Sequence, residues 1–262
     1  MSQNSTHKFP LVDRQLSIRM GVDFAELEPG RIRVVESTRR LRKEQSYGYL
    51  RALWWMWLQD GRTAISVPPG AGEGVRAVAR EVEHAEELCE PALAERLKPP
   101  VSDVLCRAGL QEVDRSWWDV TFACNRDLLR RHRCGDCRRL TDESIPPAEG
   151  LSLPTHCFPD GICYAVVEDG EAVSIAFSHR TGIMEDRIAD PGVGTAPPYR
   201  RRGYAKTVVS AVVEQVTRRG GEARYSCSPD NQASIATARS VGFVPYGRSL
   251  VLGAPAPDPG GP

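Results

Sequence analysis

Apolar residues recur along this chain with two different periods. Over residues 204–216, Tyr204, Ala205, Val208, Val209, Val212, Val213 and Val216 return every three or four positions, a valine stripe along one face of a helix. Arg218 and Arg219 suit the negative end of that helix, and Gly220 can close it. Over 161–168 and 171–179 the period is two. Ile162, Tyr164 and Val166, then Val173, Ile175 and Phe177, flank Asp169-Gly170 and predict an antiparallel hairpin. Asp60-Gly61 predicts a second hairpin between 49–59 and 62–67, two runs that together are rich in Trp, Ile and Val.

Weaker patterns fill the gaps. A short strand is expected over 30–35, and a helix over 73–89 with Val75, Val78, Ala79 and Val82 on one side. Pro91 and Pro99-Pro100 punctuate two further short helices ending near Leu110, and Trp117, Trp118, Val120 and Phe122 mark a strand over 116–123. Residues 21–130 therefore read as an α+β lobe of their own, following a polar, flexible stretch over 1–20. The charge-dense segment 37–45 reads as a solvated helix or loop, and the Pro/Ala/Gly-rich tail 253–262 as disordered. The tryptophans of the first hairpin are expected in a core or a lobe interface.

Charge narrows the function. Lys+Arg and Asp+Glu each number 34 in 262 residues, so the net charge is zero, which argues against a general nucleic-acid surface. The run 126–139 holds Arg126, Arg130, Arg131, Arg133, Arg138 and Arg139 but no aromatic residue for base stacking, and is expected to be a solvated connecting helix. The longest apolar run, 52–58, is too short for a bilayer, and the first eight residues have no secretion-signal character. A cytoplasmic protein without nucleic-acid or membrane partners is the expectation. Of the eight cysteines, Cys134 and Cys137 form one Cys-x-x-Cys beside His132. His156, Cys157 or Cys163 would have to complete a zinc site, and a turn is the favoured reading, with no metal expected. The glycine-rich 68–72 lacks the Gly-Lys-Ser/Thr ending of a P-loop, and Gly192-x-Gly194 meets Pro197 where a dinucleotide fingerprint needs its third glycine.

The most informative stretch precedes the valine helix. Gly192-Val193-Gly194-Thr195 reads as a short strand, and Arg200-Arg201-Arg202 as a basic turn leading to Gly203. Unpaired amides of a first helical turn, the positive dipole end and adjacent guanidinium groups make an anion site, most naturally for phosphate. Arg200-x-x-Gly203-x-Ala205 also resembles the acyl-CoA signature of the GNAT superfamily of N-acyltransferases, Arg/Gln-x-x-Gly-x-Gly/Ala. Further on, a strand over 223–228 leads to Asn231, Ser234, a helix over 232–241 and Gly242-Phe243, an order similar to the second conserved block of that superfamily.

That resemblance covers roughly 138–252. It implies an α/β (α+β) fold with a mixed, mainly antiparallel central sheet flanked by helices, to which the N-terminal lobe is an addition; some members of the superfamily carry a second, degenerate acyltransferase-like lobe. It also implies acetyl-CoA as co-substrate and direct transfer of its acyl group to an amine. The CoA-binding residues it implies are Val193, Gly194, Thr195, Arg200, Arg201, Arg202, Gly203, Tyr204, Ala205, Lys206, Asn231 and Ser234. A small-molecule amine is the expected acceptor; a protein lysine or amino terminus, or a catalytically idle acyl-CoA-binding protein, are the alternatives. Many members place a tyrosine in the last helix to protonate the leaving sulfur, where this chain has Ala238. Tyr225, Tyr246 or water are substitutes for the acid, and His179, Glu185 and Asp190 are candidates for the base.

Overall fold

Both Asp-Gly turns form. In this computed structural model, which describes residues 8–43, 49–154, 161–179 and 182–256, β2 (Tyr49–Leu58) and β3 (Thr63–Val67) pair antiparallel across Gly61 at φ 86°. Likewise β6 (Cys163–Glu168) and β7 (Glu171–Ser178) pair across Asp169 and Gly170, at φ 50° and 84°. Two successive left-handed residues match the twist of the strands they join.

The chain divides into two compact units, the first comprising residues up to Thr121, Cys227–Pro229 and the chain from Pro245 onward. In it, strands run in the order β1 (Ile32–Glu36), β3, β2, β11 (Val244–Pro255), β4 (Arg115–Cys124). β1 and β3 are parallel, while β2 pairs antiparallel with both β3 and β11. Helices α2 (Gly72–Ala79) and α3 (Pro91–Arg107) contribute Val75, Leu97 and Val101 to a core shared with Trp55, Ile65 and Leu250. Trp55 donates its indole N–H to Thr63 Oγ1 at 2.9 Å, so it is a core residue with its polar handle satisfied.

The second unit comprises Phe122–Ser226 and Asp230–Val244. Its antiparallel sheet runs β5 (Asp136–Arg139), β6, β7, β9 (Pro191–Thr195). Helix α4 (Tyr204–Thr217) packs on β6, β7 and β9 through the valine stripe, with Val208, Val209, Val212 and Val213 fully buried. A two-residue strand, β8 (Ile188–Ala189), pairs parallel with β10 (Glu222–Cys227). Helix α5 (Gln232–Val241) ends at Gly242 with φ 105°, where a Cβ would lie 2.0 Å from the Leu128 carbonyl oxygen. Only glycine fits there. The protein is thus mixed α/β, with mainly antiparallel sheets flanked by helices.

Several expectations are corrected. Pro10–Met20 of the stretch expected to be flexible is a helix, α1, with Val12, Leu16 and Met20 buried. The helix expected over 73–89 breaks after Ala79, because the Glu87 carboxylate takes the N–H groups of Glu83 (2.8 Å) and His84 (2.6 Å) and starts a separate turn. Those same amides hold its carboxyl below the usual carboxylate range. Conversely, Pro99-Pro100 do not divide α3, whose buried Leu97, Val101, Val104 and Leu105 keep it on the core. Gly74 lies opposite, where a Cβ would come within 2.6 Å of Pro100 Cβ.

The arginine-rich run 126–139 is not a helix. It is an extended strap on the second unit: Arg130 N–H donates to the Val241 carbonyl (2.7 Å), His132 N–H to Ser210 Oγ (3.1 Å) and Cys134 N–H to Thr207 Oγ1 (3.1 Å). Within 37–45, Thr38–Leu41 form a short 3-10 turn whose Arg40 is buried rather than solvated; 44 and 45 lie outside the described residues. Residues 253–255 of the tail expected to be disordered are the end of β11, and 257–262 lie outside the described residues. Among the described residues no helix is long and apolar enough to cross a membrane.

Candidate functional site

Asp190 marks a parting of strands. Before it, Ile188 and Ala189 pair with Glu222 and Ala223 of β10; after it, β9 pairs among the described residues with β7 alone and forms the edge of its sheet. The Asp190 carboxylate forms a buried ion pair with Arg224 of β10, its N–H donates to Ser178 Oγ (3.0 Å), and its carbonyl accepts from His179 N–H (2.9 Å).

Register then fixes where the amides of β9 point. Ala196 N–H donates to the Val173 carbonyl at 3.0 Å, and β9 pairs Gly194 with Ile175 and Gly192 with Phe177. In an antiparallel ladder alternate residues face the partner, so Gly192 and Gly194 face β7 while Val193 and Thr195 face away. The N–H groups of Val193 and Thr195 have no partner among the described residues. Both glycines sit close to the protein's own side chains. A Cβ on Gly192 would lie 2.9 Å from both His179 Nε2 and Phe177 Cζ, and one on Gly194 would lie 2.9 Å from Leu151 Cδ1. The missing side chains make room for the protein's own.

The turn that follows is rich in donors. Gly203 caps α4 at φ 88° and Arg201 sits at φ 63°, a left-handed pair that aims successive amides to one side. Backbone N–H groups from Arg201 through Lys206 find no acceptor among the described residues; the first engaged amide is Thr207, on the Gly203 carbonyl at 3.2 Å. Of the arginines, Arg200 donates Nε to the Thr195 carbonyl (3.2 Å). Arg202 reaches Glu168 (3.4 Å) and the face of Tyr199 (5.0 Å). Tyr204 donates its hydroxyl to the same Glu168, which holds its proton above the usual phenol range. The side chains of Arg201 and Lys206 make no ion pair or hydrogen bond among the described residues.

The donor-rich turn opening α4 is the anion site that the sequence predicts after Arg200-Arg201-Arg202, and a parted strand with outward amides leads into it. The family model described as acetyltransferase (GNAT) matches residues 114–243. This half of the chain is a GNAT domain. The chain is also similar to a putative GNAT acetyltransferase from Novosphingobium aromaticivorans, with 19% identity, 55% of this chain and 67% of that one covered, and a TM-score of 0.45. A GCN5-related N-acetyltransferase from Kribbella flavida shares 19% identity over 67% of this chain and 66% of its own, at a TM-score of 0.42. For a GNAT-family acetyltransferase from Colwellia psychrerythraea the values are 14% identity, 54% and 58% coverage, and 0.41. No curated protein matches the sequence.

The GNAT domain brings some of the sequence candidates together and not others. Val193, Gly194 and Thr195 lie on β9, and Arg200, Arg201, Arg202, Gly203, Tyr204, Ala205 and Lys206 on the turn and first helical residues after it. Asn231 caps α5, its Oδ1 accepting from Ser234 N–H at 3.0 Å. His179 lies against Gly192, its ring edge-on to Phe177 at 4.9 Å. Glu185 instead closes a turn, accepting from Gly182 N–H at 2.6 Å. Tyr225 is buried edge-on against Phe243 at 5.5 Å. Cys134 and Cys137 fall on the strap, Cys134 donating its thiol to the Arg202 carbonyl (3.3 Å) while burial pushes the Cys137 thiol up to about 11. His156 and Cys157 lie outside the described residues, among which no group of three or more His, Cys, Asp or Glu could hold a metal.

Tyr246 is corrected as a candidate acid. It belongs to the first unit, where its buried hydroxyl donates to Asp13, and burial together with that carboxylate raises it well above the usual phenol range. Asp13 in turn pairs with Arg62 at 3.1 Å. The signal is invisible locally because the partners are 233 positions apart. Tyr246→Phe is expected to cost about 1–3 kcal/mol of stability by removing a hydrogen bond to a charged group. Its turnover at saturating substrate should stay unchanged, which unfolding and steady-state assays on the same preparation would check.

Proposed function

We propose that the GNAT domain transfers an acetyl group from acetyl-CoA to the primary amine of a small molecule, directly, with both substrates bound together. The observation that carries this reading is the outward pair of amides on β9 followed by the unengaged run from Arg201 to Lys206. The diphosphate of the co-substrate takes the amides of that run, with Arg201 and Lys206 supplying charge. Pantetheine adds alongside β9 as a strand would, hydrogen-bonding to Thr195. The thioester lies at the other end of that arm from the diphosphate, nearest the parting at Asp190. The Val193 amide is therefore its oxyanion donor.

For the proton on the attacking amine, His179 is the assigned acceptor, directly or through one water, because its imidazole borders Gly192 at the start of β9. Asp190 and Glu185 are committed to Arg224 and to the Gly182 amide. A CoA thiolate leaves with the help of solvent, consistent with alanine at 238. The same alanine, buried and without chemistry, favours the second reading, an acyl-CoA-binding protein that does not turn over.

The test is acetyl-CoA with a panel of small amines, lysine peptides and amino-terminal peptides, following free thiol. Turnover with a small amine supports the proposal. Turnover on peptides alone moves the acceptor to protein, and binding without any turnover establishes the idle reading. Arg201→Ala should weaken acetyl-CoA binding by about tenfold, the loss of one charge-assisted contact, leaving the amides to bind the rest. Calorimetry showing complete loss of binding would contradict the amide-based account.

A further inference from the structure

The edge strand of the first unit lies open behind a lip of its own chain. Among the described residues β1 pairs with β3 alone, in parallel, and stands at the end of the strand order. Ser37 N–H donates to the Val67 carbonyl at 2.8 Å, which sets the phase of that ladder. Alternate residues of a parallel strand turn both backbone groups to the partner, so Arg33 and Val35 bond to β3 while Ile32 and Val34 turn theirs outward. Those outward N–H and C=O groups have no partner among the described residues.

Across a cavity of about 710 Å³ from Ile32 and Val34 lies the segment 21–28, which lines it with Val22, Asp23, Glu26 and Leu27. This lip has anchors of its own. Phe24 and Leu27 are buried, Phe24 N–H donates to Ser17 Oγ (2.9 Å), and the Phe24 carbonyl accepts from Arg62 Nη1 (2.7 Å). The lip therefore stands off β1, whereas a covered edge would have the segment laid against it. Arg33 and Arg76 of α2 also line the cavity, and neither makes an ion pair or hydrogen bond among the described residues. They lie on opposite faces of β1: Ile32 and Val34 pack in one core with Val75 of α2, and Arg33 alternates to the other face. Glu28 is taken by Arg31 (3.2 Å) and Asp23 by the Ala25 N–H (2.9 Å), so Glu26 is the one uncommitted carboxylate among the described lining residues.

We propose that this cavity binds an extended peptide carrying two adjacent acidic residues, which adds to β1 as a further strand. The peptide backbone pairs with the outward groups of Ile32 and Val34. Successive side chains of a strand fall on opposite faces, so neighbouring carboxylates meet Arg33 on one face and Arg76 on the other. The cavity volume lies within the range of about 300–1,000 Å³ that ligand sites span. A second folded copy does not fit, because its own β1 lies behind the same lip and only a single extended chain enters the gap. The proposal concerns the first unit and does not depend on acyl transfer.

Fluorescence anisotropy on the full chain tests it, with an end-blocked, labelled hexapeptide of valine and threonine around a central Asp-Glu. Saturable binding is expected, weaker by about tenfold or more when Lys-Lys replaces Asp-Glu. Arg33→Ala and Arg76→Ala should each weaken it about two- to fivefold, the scale of one exposed ion pair. Val34→Pro removes an outward N–H while sparing the ladder to β3, and should abolish binding with the thermal midpoint retained. N-methylating the central amides of the peptide should give the same loss without touching the protein, which keeps the test valid if Val34→Pro does not fold. No binding of the Asp-Glu peptide, equal affinity for the Lys-Lys peptide, or undiminished binding of the N-methylated one would each overturn the proposal. So would a dimer in sedimentation that Val34→Pro dissociates, since the edge would then belong to a second copy.

Discussion

Val193→Pro should lower kcat for acetyl transfer by about 100- to 1,000-fold, the scale of losing one oxyanion donor, while acetyl-CoA affinity and folding change little. The substitution is selective because Val193 sits at a position of β9 that faces away from β7, so no ladder hydrogen bond is lost. Proline is tolerated on an edge strand when the missing N–H points outward. Gly194→Pro, one residue along, removes an amide that faces β7 and should unfold the edge instead. The pair of variants thus separates chemistry from structure. Single-turnover rates with thermal midpoints measured on both would read it, and equal rate losses with equal destabilisation would sink the assignment of the Val193 amide.

The largest effect on stability is expected from Asp190→Ala, at about 3–5 kcal/mol, because it removes the carboxylate from a buried ion pair. Arg224 is 3% exposed and its partner is the Asp190 carboxylate. Asp190→Asn should recover part of the loss by keeping a hydrogen-bond acceptor. Denaturant unfolding with an unchanged m-value would establish that the folded state is what has been weakened. The pair also ties the parting strands together at their last shared point, so loss of acetyl-CoA binding is expected to accompany partial unfolding.

What the sequence made legible was local. Asp60-Gly61 and Asp169-Gly170 carry their turn geometry in two adjacent residues, and the valine stripe of α4 carries its own period. The basic turn was legible by the same rule, since Gly203 and the residues after it form the helix start directly. The misreadings all have distant partners. Pro99-Pro100 look like breakers until Gly74 and the core hold α3 together, and the strap over 126–139 looks solvated until Ser210 and Val241 supply its acceptors. Tyr246 looks like an acid until Asp13 is beside it. The parting at Asp190 leaves no mark of its own on the sequence, because a strand that loses one neighbour keeps the same alternation with the other.

Strand β11 has a bearing on biogenesis. It lies beside β2 from Tyr49 to Leu58, yet it is made after every strand of the second unit. Until then the long first hairpin has an open edge carrying Leu53, Trp54 and Trp55, residues that end fully or almost fully buried. The GNAT half can therefore complete its sheet while the earlier-made half still waits, an inversion of the usual amino-to-carboxyl order of maturation. A chain stopped after residue 243 would keep the transferase motif and leave a sticky, unfinished partner attached to it.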